Sequence, residues 1–281
     1  MISSNTESKV LKKVDPNLYD LNYYLSNNIG CEEFKDGLLL SRINYKFQEV
    51  LKCCSFASEK RVLDIGCGRG ELVYYSVMFG CKEAIGIDYS CAAIELANTF
   101  KSKLENDIQL KMKFMNMDVL DLSENNKFDY VFLIEVWEHL YDEQLMLLIK
   151  KISSILKNDG TFIITTPNLY YEKYLYPAKR ILNIPGNFFK FPLRIIRGKW
   201  KPASLKDLFK HIFKIRPFPN SFMDATHVNV SSPYKIRKLL EASGFKVKIR
   251  CCDSSLDPLT FLFKCFAGRE MLITAKLGSE H

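Results

Sequence analysis

The 281-residue sequence predicts an α/β fold, a doubly wound, mostly parallel sheet of seven strands with helices on both sides. Three observations predict it. Short apolar runs of strand length alternate with stretches whose apolar residues recur at helical spacing. Most of the runs are apolar along nearly their whole length, as strands buried on both faces are. A glycine-rich turn follows the first run directly and precedes a helical stretch.

Residues 1–60 read as an N-terminal helical lead-in, because Ile43, Phe47, Val50 and Leu51 recur at helical spacing. Residues 61–168 form the first part of the core. "RVLDIG", "AIGID", "LKMKFMN", "YVFLIE" and "TFIITTP" are its strands. Before the last of these, Leu145, Leu148, Ile149, Ile152, Ile155 and Leu156 fit one buried helix face, which "NDG" is expected to end. Alternation then stops for residues 169–230, which Pro177, Pro185, Pro192, Pro202, Pro217 and Pro219 break up. It resumes over 231–281. There Ser232 is placed to cap a helix, Pro233 suits its first turn and Gly244 ends it. "FKVKIR" and "EMLITAKL" are the last strands. The connection between them is too irregular for a full crossover helix, so the final strand is expected to run antiparallel.

Composition is that of an ordinary globular chain, 47% hydrophobic and 26% charged. The N-terminus is polar, and no apolar run approaches the roughly 18 residues of a membrane span, so neither a secretory leader nor an anchor is expected. Nine cysteines with no C-x-x-C argue against a zinc ribbon or a disulfide framework, and fit free thiols in a cytoplasmic protein. The net charge of +8 is concentrated. Lys179 to Arg216 contains eleven Lys or Arg and one acid, Asp207, a local balance of +10.

"VLDIGCGRGE" places Gly66, Gly68 and Gly70 between a strand and a helix, where the backbone turns tightly and approaches a ligand. A dinucleotide fingerprint would put glycine at position 71. The residue there is Glu71, whose carboxylate would repel a pyrophosphate at the helix start. Asp88 ends the next strand, placed to accept both hydroxyls of a ribose. Asp118 follows the strand after that, where a carboxylate can receive an adenine amino hydrogen. Three strand ends thus make one adenosine-binding edge.

These stretches, with "YVFLIEVWEHL" and "NDGTFIITTPN", resemble the class I S-adenosylmethionine-dependent methyltransferases, a Rossmann-like fold. The resemblance covers about 61–168 and, more loosely, 231–277. It implies S-adenosylmethionine as cofactor. Asp64 and the loop of Gly66, Cys67, Gly68 and Gly70 would hold its methionine end. Asp88 would hold the ribose, Tyr89 would pack beside the adenine, and Asp118 with Val119 would meet the adenine edge. Glu135, past the fourth strand, would lie beside the cofactor and the acceptor.

"EVWEHL" sets Glu135, Glu138 and His139 at i, i+3 and i+4, which one helical turn would put on one face. Three readings stand. The stretch is a polar strand-to-helix junction with only Glu135 in contact with ligand. Or His139 is a general base for an acceptor hydroxyl, its ring oriented by Glu138, and chelator has no effect. Or Glu135, Glu138 and His139, joined by His227, hold Mg²⁺ or Mn²⁺. "E-x-x-E-H" is similar to an element tied to a divalent metal in quinone-pathway O-methyltransferases and small-RNA 3′-end methyltransferases. The residues alone favour the base.

The basic stretch lies where this family builds its substrate cover. It could form a lid meeting a phosphorylated, sugar or nucleotide-linked small acceptor, lie on an anionic membrane through residues 187–216, hold RNA, or present a solvated basic face. The expectation is O-methylation of a small acceptor. A membrane-associated quinone-precursor enzyme, an RNA 3′-end methyltransferase and an inactive cofactor-binding partner subunit are the alternatives. Nothing in the residues specifies an oligomeric state.

Overall fold

A computed structural model describes residues 12–26, 34, 42–123, 125, 127–178, 193–198, 201–206, 208–209, 226–252 and 268–278. A turn at Pro16–Leu18 leads into α1 (Leu21–Ser26), and α2 (Tyr45–Leu51) follows. The Asn44 side chain accepts from Lys46 N and starts α2, while Phe47, Val50 and Leu51 bury its inner face. The core then alternates: β1 (Arg61–Ile65), α3 (Glu71–Met78), β2 (Glu83–Asp88), α4 (Cys91–Lys101), α5 (Asn106–Lys111), β3 (Met112–Asn116), β4 (Phe128–Ile134), α6 (Asp142–Ile155) and β5 (Leu156–Pro167). A π-helical turn, Tyr171–Leu175, leaves β5, and α7 (Pro233–Glu241), β6 (Phe245–Cys252) and β7 (Glu270–Leu277) complete the described chain.

The seven strands lie in the order β3-β2-β1-β4-β5-β7-β6. Every pairing among β1 to β5 is parallel, and β7 runs antiparallel to both neighbours, as the irregular sequence between β6 and β7 predicts. Order reverses beside β1, so the crevice past the carboxyl ends of β1 and β4 is the natural ligand site.

Each sheet face has its own core. On one, Val131, Leu133, Phe162 and Ile164 pack with Trp137, the buried face of α6, and Ile236 and Leu240 of α7. On the other, Phe132, Ile134, Ile163 and Leu272 pack with Phe47, Val50 and Leu51 of α2 and with α3. Val14, Tyr19 and Tyr24 form a third cluster with Ala93.

One sequence expectation changes. The "NDG" at 158–160 does not end a helix, because α6 stops at Ile155 and those residues run within β5. The caps of α7 fall as expected, with Ser232 accepting from Lys235 N and Gly244 at φ 84°. Most of the basic stretch lies outside the described residues, and with it the lid and the membrane contact at 187–216. Among the described residues no helix is long and apolar enough to cross a membrane.

Candidate active site

The glycine turn is shaped by two close approaches. Gly66 sits at φ 71°, and a Cβ there would overlap the Val136 side chain. Its N–H and that of Cys67 both donate to Ile87 O, at 2.8 and 3.1 Å, which ties the loop to the end of β2. Gly68 N then donates to the Asp88 carboxylate at 3.1 Å, and Ser90 N to its other oxygen at 2.9 Å. Gly70 has a different part from the one expected. It caps α3 in the left-handed region at φ 87° against Phe114 and lies off the cavity wall.

That wall encloses a cavity of 420 Å³, lined by Asp64, Gly66, Cys67, Gly68, Asp88, Tyr89, Asp118, Val119, Glu135 and His139. The size fits a pocket for one small molecule. Asp64 is buried with no hydrogen-bond donor among the described residues, and burial, with Asp88 and Glu71 nearby, pushes its carboxyl up to about 8. A buried acid without a counter-charge suits a cationic ligand. Burial likewise raises Asp88, to about 6, against the pull of its backbone donors. Both Asp118 oxygens are in use: one accepts from Leu120 N at 3.0 Å, and the other pairs with Lys13 at 2.8 Å. An adenine amino group there would share the carboxylate with Lys13.

"EVWEHL" is not the start of an α-helix. Glu135 has φ 55°, in the left-handed region that a non-glycine residue rarely adopts, and Trp137–His139 is a single 3-10 turn. The three side chains therefore do not share one face. Thr165 Oγ1 donates to Glu135 at 2.9 Å and Thr166 Oγ1 to Glu138 at 3.0 Å. Successive strand residues point to opposite faces, so β5 holds the two carboxylates from opposite sides. Glu135 and His139 line the cavity, and Glu138 is buried behind them.

On the Glu138 side the segment 226–231 is pinned to the turn. Asn229 N donates to Glu138 O at 3.0 Å, and Trp137 Nε1 to Ser231 Oγ at 3.1 Å. This brings the His227 ring to 5.0 Å from that of His139. Glu138, His139 and His227 offer ligand atoms within 4.8 Å of one another. Glu135, the fourth expected ligand, is outside the group: its oxygens are held by Thr165 and by Lys46, the latter at 3.1 Å. The His139 ring is oriented by Thr226 rather than Glu138, with Nδ1 at 3.0 Å from the carbonyl oxygen. A carbonyl only accepts, so Nδ1 carries the proton and the lone pair is on Nε2.

Charge follows from this geometry. Burial would raise the Glu135 carboxyl, but Lys46 outweighs it and holds it below the ordinary carboxylate range. Burial and the Glu135 charge push Glu138 well up. Burial and His227 push His139 down to about 4, so its ring is neutral near pH 7.

Several lining residues were not legible as such. Lys13, Val14, Tyr19, Tyr23 and Tyr24 close the cavity. Arg69 Nη1 donates to Tyr24 O and Ser90 Oγ to Tyr19 O, the latter at 2.8 Å, which fastens the segment over the glycine turn. The only signal was the aromatic density of "LYDLNYY", and nothing in its spacing says that it folds back.

A model of the methyltransferase domain matches residues 39–248. The chain is 30% identical over 141 residues to a ubiquinone biosynthesis O-methyltransferase of Pelagibacter ubique, covering 48% of this chain and 56% of the relative. It is 34% identical over 141 residues to a protein of Saccharomyces cerevisiae named probable S-adenosylmethionine-dependent methyltransferase CRG1, covering 50% and 46%. The chain thus spans about half the length of the curated relatives it matches. The YcgJ protein of Bacillus subtilis shares the fold, with a TM-score of 0.54 at 14% identity over 84% of this chain and 99% of that one. With the acid-lined cavity at the carboxyl ends of its strands, the chain belongs to the methyltransferase domain family and has the class I S-adenosylmethionine-dependent methyltransferase fold.

Proposed function

We propose that this enzyme transfers its cofactor's methyl group to an oxygen of a small hydroxylated acceptor, and that Glu138, His139 and His227 handle that oxygen. One observation carries the reading. The cavity that runs past Asp64 and Asp88 also reaches His139, whose Nδ1 is tethered and whose Nε2 has no hydrogen-bond partner among the described residues. Asp64 would face the positively charged end of the cofactor and Asp88 the ribose. The names of the curated relatives support an oxygen acceptor.

The sulfonium is already an activated leaving group, so alignment is the main task and can supply about 7–11 kcal/mol. A hydroxyl must also lose its proton. His139 is neutral and able to accept one, but a group at about 4 draws a proton from a hydroxyl weakly, since bases work best near the operating pH. This favours a divalent cation over proton transfer to His139 alone. The donor set fits such an ion. Metal-bound histidines characteristically donate their other N–H to a carbonyl, as His139 does to Thr226. The buried Glu138 has no cation paired with it among the described residues. Bound there, Mg²⁺ or Mn²⁺ would stabilise the acceptor as its oxyanion.

The test is transfer of labelled methyl to catechols, sugars, phosphorylated metabolites and RNA, with and without chelator. Chelator should abolish transfer to a small hydroxylated acceptor, and Mg²⁺ or Mn²⁺ should restore it. His139→Ala should lower turnover by about 10²–10⁴-fold with cofactor affinity retained. Chelator-resistant transfer that still needs His139 returns the role to proton transfer. Transfer indifferent to His139, or confined to RNA, refutes the proposal.

A further inference from the structure

We infer that Lys46, on a helix outside the strand-and-helix alternation, is a positioning residue that fixes the Glu135 carboxylate where cofactor and acceptor meet. The inference rests on the reading of Glu135 as the residue at that seam. Lys46 Nζ lies 3.1 Å from Glu135 and 2.9 Å from Glu270, and its side chain is only 12% exposed. The two acids flank the end of β5: Glu135 follows β4, and Glu270 opens β7 opposite Pro167. Lys46 therefore spans the sheet edge across β5, on the face that α2 covers.

Glu135 needs such a restraint. Its backbone is in the left-handed region, a conformation that persists only where the surroundings over-determine it. Thr165 fixes one carboxylate oxygen and Lys46 the other, so the side chain has one orientation. Without Lys46 the second oxygen would turn, and Glu135 and Glu270 would lose the cation between them.

The helix does not depend on this lysine for its place. Phe47, Val50 and Leu51 are buried beneath it, and Glu49 pairs with Arg250 at 2.6 Å. Lys46→Met should therefore fold, and the far-ultraviolet spectrum and melting temperature check that it does.

The experiment uses adenosylmethionine carrying ¹³C in its methyl group, so no acceptor is needed. The bound methyl resonance reports the local field, and calorimetry reports affinity. Lys46→Met should displace the bound resonance while affinity is retained, because Asp64, Asp88 and the glycine turn are untouched. Lys46→Arg, which keeps a cation in reach of both acids, should return the resonance toward the wild-type position. Glu135→Gln separates the two layers of the argument. If Glu135→Gln moves the resonance and Lys46→Met does not, Glu135 keeps its place and the role given to Lys46 is wrong. If neither moves it, Glu135 is not beside the methyl group, and the inference falls with that reading. If Lys46→Met abolishes cofactor binding, the lysine serves binding and the positioning role is refuted.

Discussion

Asp64 shows how a single buried charge can be read from solution behaviour. Its carboxyl is raised to about 8, whereas in an unfolded chain it would ionise near 4. Between those values the native state holds a proton that the unfolded state has lost, so stability falls as pH rises through this window. Asp88, raised to about 6, contributes the same sign over the lower part of it. The melting temperature of the cofactor-free protein should therefore drop from mildly acidic to mildly alkaline pH. Asp64→Asn should flatten the slope across the whole window from about 4 to about 8. A positively charged ligand should drive off the Asp64 proton, so calorimetric heats of cofactor binding near neutrality should vary with the buffer's ionisation enthalpy. Identical slopes in wild type and Asp64→Asn would show that Asp64 is ionised already. His139 belongs to the same scale. Its residue type was legible as functional, but its pKa was not, because burial among Tyr19, Thr226 and His227 decides it.

At the scale of elements, the turn between β1 and α3 was legible because glycine is the residue that reaches positive φ at no steric cost. Which glycine does what was not. Gly66 carries both a φ of 71° and the contact with Val136, whereas Gly244 has a φ of 84° and open space around it. Gly66→Ala should cost about 1–3 kcal/mol in thermal unfolding and weaken cofactor binding. Gly244→Ala should cost about 1 kcal/mol, the backbone part alone, and leave affinity unchanged. Equal losses in the two variants would mean that the Val136 contact is relieved without effect. The turn after β4 went the other way. Spacing suggested one shared helical face, but β5 presents Thr165 and Thr166 on opposite sides and draws Glu135 and Glu138 apart.

Across the molecule, the candidate site is assembled from both faces of the sheet. The α2 face supplies Lys46 to Glu135, and the α7 face supplies His227 to Glu138 and His139. The segment at 13–24 lines the cavity beside the glycine turn. That segment packs on Ala93 in a cluster separate from the two sheet cores, so removing residues 1–26 should leave the sheet intact. Far-ultraviolet circular dichroism of the truncated chain should then be close to that of the full chain, with cofactor affinity clearly reduced in calorimetry. Wild-type affinity after truncation would leave the tyrosines without a part in binding.

The residues by themselves determined the alternation of strands and helices, the glycine turn, the acids at the strand ends and the antiparallel last strand. Each depends on local chemistry: periodicity, φ preference, or the irregularity of a connection. Only the tertiary structure decided which acids stand in one cavity, that Gly70 packs against Phe114, that Tyr19 and Tyr24 line that cavity, and that Lys46 pairs with Glu135 and Glu270. It also decided that His227 meets His139 while Glu135 stays with Lys46. These contacts join residues far apart in the chain, and their partners are chosen by which sheet face an element buries. That choice comes from the packing of whole apolar surfaces and leaves no mark in the spacing of the polar residues it brings together.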